Sequence, residues 1–373
     1  MSAGEMAMQP QQPADIPVPV EPPPAVAAMP ARAAWRRRAR WLASTLLTVF
    51  ITLAGLLLVT FLLGRVLPAD PVLRVVGDRA PQELYDRVYR EMGLHRPVAQ
   101  QFALFVGDMV RGNFGKSLVT GNPIAEDILR YFPATFELAT LAIVIGVLAG
   151  IPLGVLCAQH AGRLPDHLAR VASLAGHSVP IFWLGIVGLL VFYANLGWVG
   201  GPGRLDVAYR YSVPEVTRLM LVDTLLAGEW EAFGNALSHI VLPATLLGLV
   251  ALGYVTRMTR SFLLWQLRQD YTTVLRLKGL SESAILWRHA LRNAAGPILA
   301  VIALTYAYLL EGAVLTETVF AWPGLGMYIT DSLFAADIPA VLTATLLVGL
   351  IFMLVNIASE LIQSALDPRT HRP

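Results

Sequence analysis

Apolar residues in this chain fall into runs of membrane-crossing length. The first, Leu42 to Leu63, holds roughly 22 residues. As a helix rising about 1.5 Å per residue, that crosses about 30 Å of hydrocarbon. Further runs lie at about 134–158, 171–195, 237–257, 296–316 and 340–362, which makes six expected spans. A cleaved signal peptide would carry a shorter apolar core of about 7–15 residues. Trp35-Arg36-Arg37-Arg38-Ala39-Arg40 before the first run, and Arg65 with Leu67-Pro68-Ala69-Asp70-Pro71 after it, read as the flanks of an uncleaved anchor. Pro152, Pro180 and Pro243 fall in or beside spans, where neighbouring helices satisfy the backbone groups that proline frees.

The polar stretches between the runs have their own periodicity. From Pro81 to Met92, Leu84, Val88 and Met92 recur at i, i+4 and i+8 with Tyr85 and Tyr89 beside them. This predicts an amphipathic surface helix that starts with proline at its first position and stops at Gly93, with packing against the mouth of the span bundle expected ahead of a direct partner contact. Gln269 to Asn293 is polar and basic between two apolar runs. There, Thr259 to Leu277 reads as helix and Gly279 as its stop. Ser281 caps a second short helix with Glu282 in its first turn, and Leu280 and Ile285 fit a hydrophobic staple across that cap. A short helix with apolar and basic residues suits an anionic lipid surface and equally a groove on a soluble partner. The residues alone leave both open. Residues 1–40 form a proline-rich basic leader, expected to be disordered.

Composition agrees with the runs. Hydrophobic residues make up 55% of the 373 and charged residues 14%, against about 25% charged in ordinary soluble domains. Mean hydropathy is +0.59. So few charges cannot cover the apolar surface, so lipid is the expected solvent. The formal net charge of +2 gives no support to a nucleic-acid partner, and the lone Cys157 allows no internal disulfide. Positive charge sets orientation. The leader, Arg163 to Arg170, the loop after Arg257 and the tail with Arg369 and Arg372 are basic and expected inside. The loop at about 196–236 is acidic through Asp206, Glu215, Asp223, Glu229 and Glu231 and expected outside. Both termini are then cytoplasmic.

Catalytic signals are weak. Gly112-Asn113-Phe114-Gly115-Lys116-Ser117 ends like a phosphate-binding loop, but Val110 stands where the first glycine is required, so it reads as a turn. The histidines His95, His160, His167, His177, His239, His289 and His371 are scattered without metal-ligand spacing. Ser178 and Ser238 beside histidines do not make a triad. Glu137, His177, Glu311 and Glu360 fall near span ends, where capping or inter-helix hydrogen bonding is expected rather than a proton relay. A stand-alone carrier would want mid-membrane acids and an internal repeat, and a membrane enzyme would want a nucleophile or metal set.

Arg276-Leu277-Lys278-Gly279-Leu280-Ser281-Glu282 followed by Arg288-His289-Ala290-Leu291-Arg292-Asn293 resembles the inner-membrane permeases of the dipeptide/oligopeptide/nickel ABC importers. Gly93-Leu94-His95-Arg96-Pro97, Gly112 to Ser117, Phe132-Pro133-Ala134-Thr135-Phe136-Glu137-Leu138, Ile151 to Val155, Ser178 to Gly185 and Glu317-Thr318-Val319-Phe320-Ala321-Trp322-Pro323-Gly324-Leu325-Gly326 are similar to that family and stand in its order. The likeness covers about residues 42–370 and is greatest to the first of the paired permeases. It implies an all-α membrane protein of six transmembrane helices with the type I ABC importer permease fold. The implied layout is a first helix at 41–64, an extracytoplasmic loop at 65–132, a five-helix core at 133–362 and a tail at 363–373. It also implies a second permease, two cytoplasmic ATPase subunits that bind ATP and Mg, and an extracytoplasmic substrate-binding protein. No cofactor is expected in this chain, and it is not expected to be an enzyme.

The ATPase-docking loop is expected at 258–295, with Arg276, Lys278, Gly279, Ser281, Glu282, Ile285, Leu286, Trp287, Arg288, His289 and Arg292 as its site residues. Gly279 would supply the bend, Ile285, Leu286 and Trp287 the seating, and the basic residues the charge complementarity. The family's E-A-A-x-x-x-G pattern maps onto Thr273-Val274-Leu275-Arg276-Leu277-Lys278-Gly279, with only the glycine retained. Di- or oligopeptides are the implied cargo, with nickel chelate, glutathione or another small solute as the alternative.

Overall fold

The computed structural model describes residues 31–66, 70–77, 79–168, 171 and 179–366. Residues 1–30 of the proline-rich leader, the expected stop at 67–69, most of the start of the third apolar run with His177 and Ser178, and the basic tail after Leu366 lie outside the described residues. Residues 31–40 of the leader, expected to be disordered, are helical and open α1. The described chain is helical, and its β structure is a single isolated bridge between Lys116 and Pro123. That bridge closes a turn at Leu118–Thr120, directly after the turn expected at Gly112 to Ser117.

The helices are α1 (Ala31–Val66), α2 (Pro71–Val76), α3 (Gln82–Glu91), α4 (Val98–Val110), α5 (Ile124–Gln159), α6 (Ile181–Gly188), α7 (Met220–Ala227), α8 (Trp230–Gln266), α9 (Asp270–Leu277), α10 (Glu282–Asn293), α11 (Ala295–Gly312), α12 (Val314–Val319), α13 (Leu325–Phe334) and α14 (Ile338–Leu366). α6 continues in wider π turns from Leu189 to Asn195. The chain divides into two units, Met1–Thr48 and Val49–Pro373, and all packing below belongs to the second.

Among the described residues, four helices are long and apolar enough to cross a membrane: α5, α8, and the stretches Ala43–Gly64 of α1 and Ile338–Ile362 of α14. α10 and α11 pass the same test as a pair bent by 65°, and Ile181–Asn195 is a shorter apolar helix. The helices overrun the expected spans. α5 begins at Ile124 rather than near 134, and α8 runs from Trp230 to Gln266 rather than 237–257. At 36 and 37 residues, they extend about 55 Å, so each must project well beyond the hydrocarbon. Apolarity marks only the part in lipid, whereas backbone hydrogen bonding continues until a cap or turn ends it. The expected helix from Thr259 to Leu277 is in fact two helices, broken at Leu267–Gln269.

α5 and α8 pack in parallel along a glycine seam. A Cβ at Gly146 would lie 2.5 Å from Ala251 Cβ, one at Gly150 3.0 Å from Val255 Cβ, and one at Gly154 2.7 Å from Thr259 Cβ. The pairs keep a constant offset of 105 positions. Lipid tails are as apolar as leucine, so close backbone approach, rather than the hydrophobic effect, holds such helices together. Thr256 Oγ1 donates across the seam to the Gly150 carbonyl at 3.2 Å.

The expected surface helix is α3. Pro81 sits just before it as the capping residue rather than at its first position, and Gly93 ends it with φ +68°. None of its side chains is fully buried, Tyr85, Val88 and Tyr89 are half-buried, and Tyr85 donates to Asp70 Oδ2 at 2.7 Å. α4, which the periodicity reading passed over, packs on α1: Phe102 meets Phe61 of α1 edge-on at 5.2 Å.

Candidate coupling segment and the opposite latch

The segment from α9 to α10 is braced against α8 by polar contacts. Thr272 donates to the carbonyls of Leu267 and Gln269 at 2.9 and 2.8 Å, turning the chain out of α8. Tyr271 donates to Gln266 Oε1 at 3.0 Å, and Gln266 Nε2 reaches the Asn293 carbonyl at 3.4 Å. Gly279 adopts φ +82°, a left-handed conformation that closes α9 as a glycine C-cap. Ser281 then caps α10, its hydroxyl accepting from Ala284 N at 3.3 Å, as the sequence indicated. Arg276 forks onto Glu282 across the turn at 2.6 and 3.2 Å. Both ends of this pair are exposed. The hydrogen bond raises the Arg276 pKa and lowers that of Glu282.

The expected seating residues separate into two groups. Ile285 and Leu286 are buried within this chain, and Leu286 joins a cluster with Val155, Leu263, Ala290 and Ile298. They are not available to seat on another protein. Adjacent helical residues point about 100° apart, so burying the 285–286 face turns Trp287 outward. Trp287 is 46% exposed, and on α9 Leu277 is 83% exposed. Lys278, Arg288 and Arg292 are exposed beside them, and His289 is half-buried. The apolar surface on offer includes Leu277 and Trp287, with Val274 of α9 also 49% exposed.

Next to this segment, Arg260 of α8 forks onto Asp166 at 2.6 and 2.8 Å. Asp166 is fully buried and also accepts from Gly162 N at 2.9 Å. This ties the turn after α5 to the overhang of α8. The partners are 94 positions apart, and nothing in their spacing marked them.

The other end of the bundle is closed by a latch. Two motifs quoted from the sequence meet there. Trp322 Nε1 donates to the Ala134 carbonyl at 2.9 Å. Thr135 Oγ1 donates to Glu317 Oε1 at 2.6 Å and accepts from Leu325 N at 2.7 Å. Met327 N donates to Glu317 Oε2 at 3.0 Å. α13 thus has its first amides capped by side chains from α12 and α5. Its own N-cap is Gly324, where a Cβ would lie 2.3 Å from Glu317 Cδ. Glu317 itself is fully buried.

Glu137, one of the span-end acids, makes the inter-helix contacts expected of it. It pairs with Arg204 and accepts from Leu221 N at 2.7 Å, while the Arg204 guanidinium lies 5.5 Å over the Trp322 ring. Asp337 accepts from Ser117 Oγ at 2.8 Å, fastening the Gly112–Ser117 turn to the start of α14.

Long apolar helices, a close-packed glycine seam and two structured ends define a multi-pass membrane protein. The chain belongs to the binding-protein-dependent transport system inner membrane component family, which it matches over residues 150–372, with that family's N-terminal component matched over 38–139. It is 41% identical over 322 residues, 86% of this chain and 94% of the relative, to the "Probable D,D-dipeptide transport system permease protein DdpB" of Escherichia coli. It is 40% identical over 319 residues, 85% of this chain and 94% of the relative, to the di/tripeptide transport system permease protein DppB of Pseudomonas aeruginosa. The dipeptide transport system permease protein DppB of Escherichia coli is 38% identical over 85% of this chain and 94% of its own length. Among solved structures, an inward-facing form of the MetNI methionine ABC transporter aligns at TM-score 0.47 and 15% identity, covering 66% of this chain and 98% of that one.

Proposed function

We propose that the chain is a permease subunit of an ATP-driven importer of di- or oligopeptides. In this reading it has the type I importer permease fold and six spans. α1, α5, the helix through α6, α8, α11 and α14 supply them, with both termini cytoplasmic. The Glu317 latch is then extracytoplasmic and the α9–α10 segment cytoplasmic. The layout follows the divisions at 40, 64, 132 and 362, with the long helices overrunning them. A second permease completes the path, two ATPase subunits carry ATP and Mg, and a binding protein delivers cargo.

The observation that carries this reading is the α9–Gly279–α10 segment. In a member of a binding-protein-dependent transport family, it is braced to α8 yet presents Leu277 and Trp287 to solvent. Contact with a partner would bury those two side chains between flanking cations. Closure of the ATPase pair would move the segment. The Gln266–Asn293 and Asp166–Arg260 contacts would pass that motion to α8, and the glycine seam would pass it to α5. Coupling requires this kind of two-state element biased at one site and read at another. Peptide cargo rests on the relatives' names.

The test is reconstitution of the chain with its second permease, ATPases and binding protein in liposomes. ATP-dependent uptake of a radiolabelled dipeptide, absent without the ATPases, is expected. Uptake by this chain alone overturns the importer reading, and ATP-dependent uptake of another solute but no peptide overturns the cargo.

A further inference from the structure

Glu311 was expected to be capped or hydrogen-bonded, and it is neither. Among the described residues it makes no hydrogen bond and no ion pair, and its side chain is exposed. Its helix, α11, carries no other charged residue. Leu310 and Ala313 beside it belong to the same buried cluster as Leu138 of α5 and Leu242 of α8. Glu311 therefore sits level with the packed core, not above it. Glu137, beside Leu138 of the same cluster, is paired with Arg204.

The face that carries Glu311 is Leu304, Tyr308, Glu311 and Leu315. The first, second and fourth are 48%, 59% and 54% exposed. Residues three apart on a helix are neighbours, with Cβ atoms about 5–6 Å apart. The Tyr308 ring and the Glu311 carboxylate thus flank one spot. An unpaired carboxylate is costly against hydrocarbon, so this face belongs to a water-filled or partner-lined space. An aromatic face beside a carboxylate is the chemistry that holds an ammonium group, through ring quadrupole and charge-assisted hydrogen bonding.

We propose that Tyr308 and Glu311 form a cargo subsite that receives the N-terminal ammonium group of the peptide as it enters the path. The proposal rests on the peptide-import reading above. It places in the permease a cargo contact separate from the binding protein.

The experiment uses the full reconstituted complex with dialanine as cargo, reading both uptake and ATPase stimulation by loaded binding protein. Wild-type complex that imports no dipeptide refutes the import reading itself. With wild-type uptake established, the charge series decides the subsite. Glu311→Asp is expected to keep at least a third of uptake, Glu311→Gln to lose about tenfold and Glu311→Lys to lose more, with stimulated ATPase within twofold throughout. Tyr308→Phe should stay within twofold of wild type, because the ring suffices, while Tyr308→Leu should fall severalfold. Uptake in Glu311→Gln within twofold of wild type overturns the proposal, as does equal loss in the Gln and Lys variants. Failure of Glu311→Gln to co-purify with the second permease also overturns it, and makes Glu311 a contact between permeases.

Discussion

Glu317 and Leu277 stand for opposite ends of this molecule. Glu317 is fully buried, with both oxygens accepting hydrogen bonds and two glycines pressed against its carboxylate. Leu277 is 83% exposed, two residues before a glycine that nothing crowds. The latch satisfies itself: its donors, acceptors and steric demands are met within one chain. The α9–α10 segment satisfies only its backbone and its inward face, through Thr272, Gln266, Ser281, Ile285 and Leu286. Its outward face, with Leu277 and Trp287, is exposed. One end has its partners built in, and the other has a braced root and an unfilled surface.

The contrast is broken most severely at Gly324. Alanine there places a methyl 2.3 Å from a fully buried carboxylate. Overpacking of this kind costs about 1–3 kcal/mol, and here the upper end is expected because both sides are anchored. Purified Gly324→Ala protein should show a clearly lowered Tm. An unchanged Tm would mean that the latch yields easily.

At the other end, Gly279→Pro should leave stability nearly intact and abolish function. Proline fixes φ near −65° where the chain needs +82°. The exposed turn should re-route without disturbing the buried root. Insertion and Tm should match wild type while ATP-dependent uptake falls at least about tenfold, equivalent to about 1.4 kcal/mol in a rate. Normal substrate-stimulated ATPase activity in that complex would sink the coupling role.

The smallest effect should come from the Arg276–Glu282 fork. Arg276 holds the Glu282 carboxyl below its usual range, so its contribution is present at neutral pH and lost as pH falls through that depressed value. Both side chains are well exposed, at 41% and 55%, so screening limits the effect to below about 1 kcal/mol. The Tm gap between wild type and Glu282→Gln, measured from pH 7 to pH 3, should start small and close at acid pH. A gap that widens toward acid contradicts the pairing.

Much of this was legible in the sequence because it is encoded locally. Run lengths marked the long helices. Gly279 and Ser281 marked the turn and the cap, since a left-handed stop and an N-cap are single-residue signals. Gly146, Gly150 and Gly154, four apart on α5, also carried a readable close-packing signal that the periodicity reading did not use. Helix ends were less legible, because hydropathy reports the lipid boundary and not the last hydrogen bond.

By itself, the sequence determined that this is a helical membrane chain, where its apolar helices lie, and which short segment interrupts them. Only the tertiary structure decided that Thr135 donates to Glu317 across 182 positions, that Asp166 answers Arg260, and that Ile285 and Leu286 turn inward while Trp287 turns out. The physical reason is range. Helix propensity, caps and turns act over about four residues along the chain. Which side chains meet across helices depends on how the helices cross, and that is settled only when the glycine seam and the latch are packed.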